Sequence, residues 1–204
     1  MTIIYYGLTC FRFQNNGLSL LIDPLGRDSG LNPPRMQNDL VLLSRGSKNK
    51  DYSSNTFAIT CPGEYELKGC FVYGIPVTET EKEDKLMFLI ELEGIKIAYL
   101  GLLKNPKLTD TQLEKLEGAD ILILPVGGGD SLNEKQAVET ANQLEPRLII
   151  PMYYQIPKIK LKLEPLDKFK KEIAIKSEIV DKLKITKREL PQEETRLVII
   201  NPLL

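Results

Sequence analysis

Histidine is absent from this 204-residue chain, and that absence removes a large part of enzyme chemistry. Imidazole is the commonest metal ligand and a usual activator of nucleophilic thiols. Cysteine is scarce as well. Cys10, Cys61 and Cys70 are odd in number and show no metal-like CxxC spacing, so free, mostly buried thiols in a reducing cytoplasm are expected. A reactive thiol is not, because no histidine is present to activate it. Charge of one sign is lacking too: Lys+Arg 27 against Asp+Glu 28 leaves a net charge of −1. That balance argues against a nucleic-acid partner, because such binding rests on many uncompensated phosphate contacts. No apolar run approaches the ~20 residues that cross a bilayer. The opening "MTIIYYGLTCF" has neither the charged start nor the long apolar stretch of a signal peptide. The expectation is a cytoplasmic protein with no membrane partner.

What is present suits a soluble globular protein: hydrophobic residues make up 42% and charged residues 27%, enough for one domain over residues 1–204. The amino-terminal half reads as antiparallel strands. "IIYYGLTCFRF" and "LSLLIDP" flank Asn15-Asn16-Gly17, and "DKLMFLIEL" and "IKIAYLG" flank Glu93-Gly94, both turn signals that tolerate positive φ. The second half changes rhythm. "ADILILPV" and "RLIIPMYY" are continuous apolar runs of the kind buried on both faces of a sheet. Between them, Ser131–Glu134 has a capping-box pattern, and Ala137, Val138, Ala141 and Leu144 share one helical face. That order predicts a βαβ unit with a right-handed crossover. Thr109–Gln112 predicts a second cap and a short helix. "PLDKFKKEI" predicts a helix and "TRLVIINPL" a strand; "KIKLKLE" alternates like a lysine-guarded edge strand. Two sets of strands with helices to cover them imply an α/β sandwich.

Several stretches carry a specific resemblance: "LLIDP" at 20–24, "PGEYELKGCFVYGIP" at 62–76, the 123–154 block from "ILPVGGGDS" to "PMYY", and "KRELPQEETRLVI" at 187–199. The chain resembles the metallo-β-lactamase-fold hydrolases, in a subgroup similar to the L-ascorbate-6-phosphate lactonases. The resemblance implies an αββα sandwich with a metal pocket at one edge. It also implies a His-x-His-x-Asp-His loop after a buried strand, and "SRGSKNKD" occupies that place. On that alignment the loop's ligand positions hold Arg45, Ser47, Asn49 and Lys50. An early Gly-His is Gly7-Leu8, a later His-Leu-Gly-Asp is Tyr99-Leu100-Gly101-Leu102, and the histidine of Pro-Met-His-Tyr is Tyr153. Asp23 alone survives from the family's polar positions, where it supports ligands without chelating.

A hydrolytic zinc site needs about three protein ligands and one open position, and none of these substitutes is a good ligand. At an effective dielectric of ~20, a unit positive charge ~5 Å from a divalent ion costs roughly 6–7 kcal/mol. The sequence therefore implies no metal and no cofactor, and a catalytically degenerate, metal-free pseudoenzyme with a binding or structural role. One alternative is a metal-independent enzyme or binder of an anionic, sugar-phosphate-like molecule. It would use the Arg45–Lys50 loop, with Asp23, Ser47, Asn49, Tyr99 and Tyr153 as the other pocket candidates. Another is a non-catalytic subunit, in a homo-oligomer or paired with an active paralogue. "PVGGGDS" lacks the lysine and hydroxyl of a phosphate loop and reads as a tight strand-to-helix turn. Glu64 and Glu66 share a strand face and read as scaffold. Tyr5, Tyr6, Tyr99, Tyr153 and Tyr154 are expected to fill the vacated pocket and satisfy one another's hydroxyls.

Overall fold

Alternating apolar residues separated by tight turns build the first half of the chain into ribbons. A computed structural model describes residues 1–26, 29–32, 37–45, 56–77 and 85–203. Strands β1 (Thr2–Gly7), β2 (Cys10–Gln14) and β3 (Ser19–Ile22) form two successive hairpins. The run expected as one strand over 3–13 thus breaks at Leu8-Thr9, where Leu8 takes a positive φ of 53°. The next strands are β4 (Leu40–Leu42), β5 (Phe57–Ile59), β6 (Gly63–Leu67), β7 (Cys70–Pro76), β8 (Leu86–Leu92) and β9 (Ile95–Tyr99). Glu93 and Gly94, with φ of 54° and 72°, make the expected turn between β8 and β9.

Helix α1 (Asp110–Leu116) begins at Thr109, with the reciprocal Thr109–Gln112 capping box. Strand β10 (Ile121–Pro125), helix α2 (Glu134–Leu144) and strand β11 (Leu148–Met152) form the expected βαβ unit, with β10 and β11 parallel and in register. The cap of α2 lies two residues later than the sequence suggests. Asn133, not Ser131, accepts from the Gln136 N–H, and Gln136 reaches back to the Asn133 N–H. Ser131 instead turns its hydroxyl to the Gly128 carbonyl at 3.0 Å.

The chain closes with α3 (Leu166–Ile173), β12 (Ser177–Val180), β13 (Leu183–Lys184) and β14 (Arg196–Ile200). Two sheets result. One has six strands in the order β13-β1-β2-β3-β4-β5, the other eight in the order β12-β14-β11-β10-β9-β8-β7-β6. Their facing apolar sides form one continuous core that includes Phe11, Phe13, Phe88, Ile97 and Ile123. This is the expected α/β sandwich of metallo-β-lactamase type, with both parallel and antiparallel pairs in each sheet.

The expected edge strand over "KIKLKLE" is a correction. Residues 158–164 join no ladder. They belong to a loop closed at its ends, because the Gln155 N–H donates to the Glu164 carbonyl at 2.9 Å and the Glu164 N–H to the Gly127 carbonyl at 2.8 Å. Pro157 and Pro165 bracket it, and neither supplies an N–H to a ladder. Among the described residues no helix is long and apolar enough to cross a membrane. Cys10 and Cys70 are buried free thiols, and Cys61 is exposed. Burial pushes the Cys70 thiol up to about 12, so it stays protonated and inert.

Candidate functional site

Three strand ends and two loops meet at one edge of the sandwich. β3 ends at Ile22, and the next residue, Asp23, takes a left-handed φ of 44° that aspartate tolerates better than most side chains. Its N–H donates to the Leu42 carbonyl at 2.9 Å, which sets its carboxylate against the end of β4. The Ser44 N–H donates to Asp23 Oδ1 at 2.7 Å and the Ser44 hydroxyl to Oδ2 at 2.5 Å. From the opposite sheet, the Tyr99 hydroxyl lies 2.7 Å from Asp23 Oδ2 and 2.8 Å from the Thr9 carbonyl oxygen. Both are acceptors, so its single proton is shared between them.

Burial, and then the Asp23 carboxylate beside it, push the Tyr99 phenol well above its usual range, while the positive charge of Arg45 opposes the shift. Burial also raises Tyr5 strongly, with Tyr154 adding to it. The tyrosines do not satisfy one another as expected. Tyr5 donates to the Leu8 carbonyl at 3.0 Å, and its ring stacks on Phe11 at 4.5 Å. Because the folded pKa values lie above the unfolded ones, the contribution of these phenols to stability is complete below pH ~10. It is lost as pH rises toward the folded values: unfolded tyrosine sheds its proton while the folded side chain keeps it. The melting temperature is therefore expected to be level from pH 7 to 8, to decline gently from about pH 8.5, where unfolded Cys10 and Cys70 shed their protons while burial keeps the folded thiols protonated, and to fall steeply above pH 10. A thermal melt series from pH 8 to 12 checks this, and a level curve through pH 11 would refute it.

Leu8 and Tyr153 complete the buried side of the site. Both are buried, both have positive φ (53° and 55°), and the Tyr153 N–H donates to the Leu8 carbonyl at 3.0 Å. Backbone of this kind costs of order 1–3 kcal/mol for a bulky residue, and it is kept at both positions. Burial raises the Tyr153 phenol, Arg45 lowers it and Asp130 raises it. Arg45 is exposed, yet its charge acts on both Tyr99 and Tyr153.

Leu8, Leu102, Tyr99 and Tyr153 are all packed in, but an open cleft of about 260 Å³ remains beside them. Asp23, Arg45, Leu8, Leu43, Lys160 and Leu161 are among its lining residues. Of the expected pocket residues, the fold thus brings Asp23 and Arg45 into the cleft, sets Tyr99 behind Asp23, and ties Tyr153 to Leu8. Ser47, Asn49 and Lys50 lie outside the described residues. Lys160 and Leu161 were not expected here. No local signal in the sequence points to them, because the loop that carries them is positioned by contacts with Gly127 and Gly30. Among the described residues, no three or more His, Cys, Asp or Glu side chains are grouped as a cation site. Asp23 is the only carboxylate among the described residues lining the cleft.

Comparison with known proteins agrees with this architecture. The Beta-lactamase superfamily domain matches residues 2–153. A solved structure from Thermotoga maritima, named as a Zn-dependent hydrolase of the metallo-beta-lactamase superfamily, superposes with a TM-score of 0.82 at 30% identity, covering 98% of this chain and all of that one. A UPF0173 protein of Pyrococcus abyssi is 28% identical over 185 residues, 76% of this chain and 83% of the relative. A UPF0173 metal-dependent hydrolase of Thermococcus onnurineus is 30% identical over 129 residues, 58% of this chain and 54% of its own length. A metallo hydrolase from Ignicoccus hospitalis shares the fold alone, with a TM-score of 0.68 at 16% identity. The chain belongs to the metallo-β-lactamase superfamily, in the company of relatives named as metal-dependent hydrolases.

Proposed function

We propose that this chain is a metal-free member of its hydrolase family, in the branch similar to the L-ascorbate-6-phosphate lactonases, and that its cleft binds without cleaving. The observation that carries this reading is the bonding of Asp23. Its carboxylate accepts from the Ser44 N–H, the Ser44 hydroxyl and the Tyr99 hydroxyl. A divalent ion placed there would have to displace donors that tie β3, β4 and β9 together. Among the described residues the other side chains at the edge offer it little: leucine has no lone pair, the tyrosines are buried with their phenols held protonated, the free Cys10 thiol near Asp23 is buried and pushed up by that burial, and Arg45 adds a repelling charge. The described residues at this edge do not fit zinc, and the core that builds the sandwich is apolar.

Tag-free protein, purified without chelator and subjected to elemental analysis, is expected to contain well under one equivalent of zinc, manganese or iron. Added zinc should leave its melting temperature unchanged. One equivalent of metal that survives dialysis would overturn the reading and direct attention to the segment 46–55.

A further inference from the structure

The structure assigns the cleft a ligand class: we propose that it binds a small monocarboxylate carrying a short apolar chain. The proposal rests on the metal-free reading and adds Lys160 and Leu161 to the site. Two cations enter the same small cleft, Arg45 from the end of β4 and Lys160 from the loop closed by Gln155 and Glu164. Neither forms an ion pair among the described residues. The carboxylate sharing the cleft, Asp23, is already occupied by three donors. Among the described residues that line the cleft, two positive charges against one negative leave one positive charge unmatched, which suits a monoanion better than a dianion. Arg45 offers a planar fork matched to a carboxylate, and Lys160 a point charge beside it.

Leu8, Leu25, Leu43 and Leu161 supply apolar wall in the same cleft, with Thr9 and Ser29 beside them, so the cleft has room for an apolar ligand body next to its polar lining. About 260 Å³ lies just below the roughly 300–1,000 Å³ usual for ligand sites, which limits that body to a short chain. The wall carrying Lys160 is built into the fold. Gly30 has a φ of 82°, and a Cβ added there would lie 2.3 Å from the Lys158 carbonyl oxygen. The 158–161 segment is therefore seated directly on the loop that follows Asp23, a contact only glycine permits.

The test is saturation-transfer NMR with hexanoate, and with hexanol and inorganic phosphate as probes of each half of the chemistry. Wild type, Arg45→Gln, Lys160→Gln and the remote control Lys135→Gln are compared in excess EDTA, with circular dichroism confirming each fold. Wild type and Lys135→Gln are expected to bind hexanoate alike and better than hexanol or phosphate. Each cleft variant should weaken hexanoate binding about 10-fold, the loss of one charge-assisted contact. Equal binding by all four proteins, no transfer to hexanoate, or tighter binding of phosphate would each overturn the proposal. Binding that persists in EDTA keeps the ligand assignment even if elemental analysis finds metal. Binding that vanishes in EDTA and returns with zinc refutes this assignment and the metal-free reading together.

Discussion

Replacing Asp23 with alanine is expected to destabilise the fold by about 3–5 kcal/mol, whether or not zinc is present. The substitution removes the acceptor shared by the Ser44 N–H, the Ser44 hydroxyl and the Tyr99 hydroxyl. All three donors sit in a buried site, and a buried donor left without a partner costs roughly 1–3 kcal/mol. Tyr99 keeps one acceptor, the Thr9 carbonyl at 2.8 Å, which limits its share of the loss. The Ser44 N–H has no such alternative. Alanine also meets the left-handed backbone at this position, which aspartate tolerates better. Asp23→Asn keeps the shape and turn tolerance but directs an amide N–H₂ toward donors, and should cost about half as much. Urea unfolding of wild type, Asp23→Ala, Asp23→Asn and Ser44→Ala in EDTA, and again with zinc, measures the series. A loss below about 1 kcal/mol for Asp23→Ala would show that the carboxylate is not the joint between the strand ends. A loss that appears only with zinc would identify it as a ligand.

Gly127→Ala is expected to lower the melting temperature by roughly 6–12 °C. A Cβ at this position would lie 2.3 Å from the Tyr153 carbonyl oxygen and 2.8 Å from the Tyr154 Cα, and both are backbone atoms that cannot rotate away. Neither side can retreat easily. The Tyr153 N–H is bonded to the Leu8 carbonyl, and the Gly127 carbonyl accepts from Glu164. An overpacked site between two backbone segments costs about 3 kcal/mol, the upper end of the usual range, and for ~200 residues each kcal/mol shifts the midpoint by roughly 2–4 °C. Gly17→Ala is the matched control. Its added methyl would meet nothing nearer than Asn15 Oδ1 at 3.9 Å, so its melting temperature should stay within about 1–2 °C of wild type. Calorimetry of the two variants separates a packing clash from a general intolerance of lost glycine, and equal shifts would refute the clash.

The parts of this fold that were legible in the sequence are those set by local chemistry. Ile121–Pro125 and Leu148–Met152 are apolar throughout and are buried on both faces. The Glu93-Gly94 turn follows from residues that accept positive φ, and Thr109 with Gln112 is a complete cap within four positions. What was not legible depends on contacts outside the segment's own residue pattern, some near in sequence and some far. Residues 158–164 alternate like a strand, but the loop's far end is tied elsewhere: the Glu164 backbone is claimed by Gln155 and Gly127, and the Leu163 N–H by the Gln155 side chain. Leu8 has the composition of a strand residue, yet it forms the turn between β1 and β2. The cap of α2 moved to Asn133 because the Gly128 carbonyl claims the Ser131 hydroxyl. At the site, the sequence identified Asp23 and Arg45 but not Lys160, which arrives from more than 100 positions away. Tyrosine pairing was a reasonable guess from volume, and it failed because the nearest strong acceptors were a carboxylate and main-chain carbonyls.

The order of strands in the larger sheet has a consequence for how the chain reaches this state. β12 pairs with β14, and β14 lies between β12 and β11. Strand 177–180 therefore has no sheet partner until residues 196–200 have been added beside 148–152. β13 meanwhile lies against β1, across about 180 positions of chain. Such long-range closures slow assembly, because loop entropy is lost before any contact rewards it. Until they are made, the uncovered side of Leu148–Met152 presents an open apolar edge. A nascent or refolding chain is thus sticky late in its folding, with concentration and holding chaperones deciding its yield.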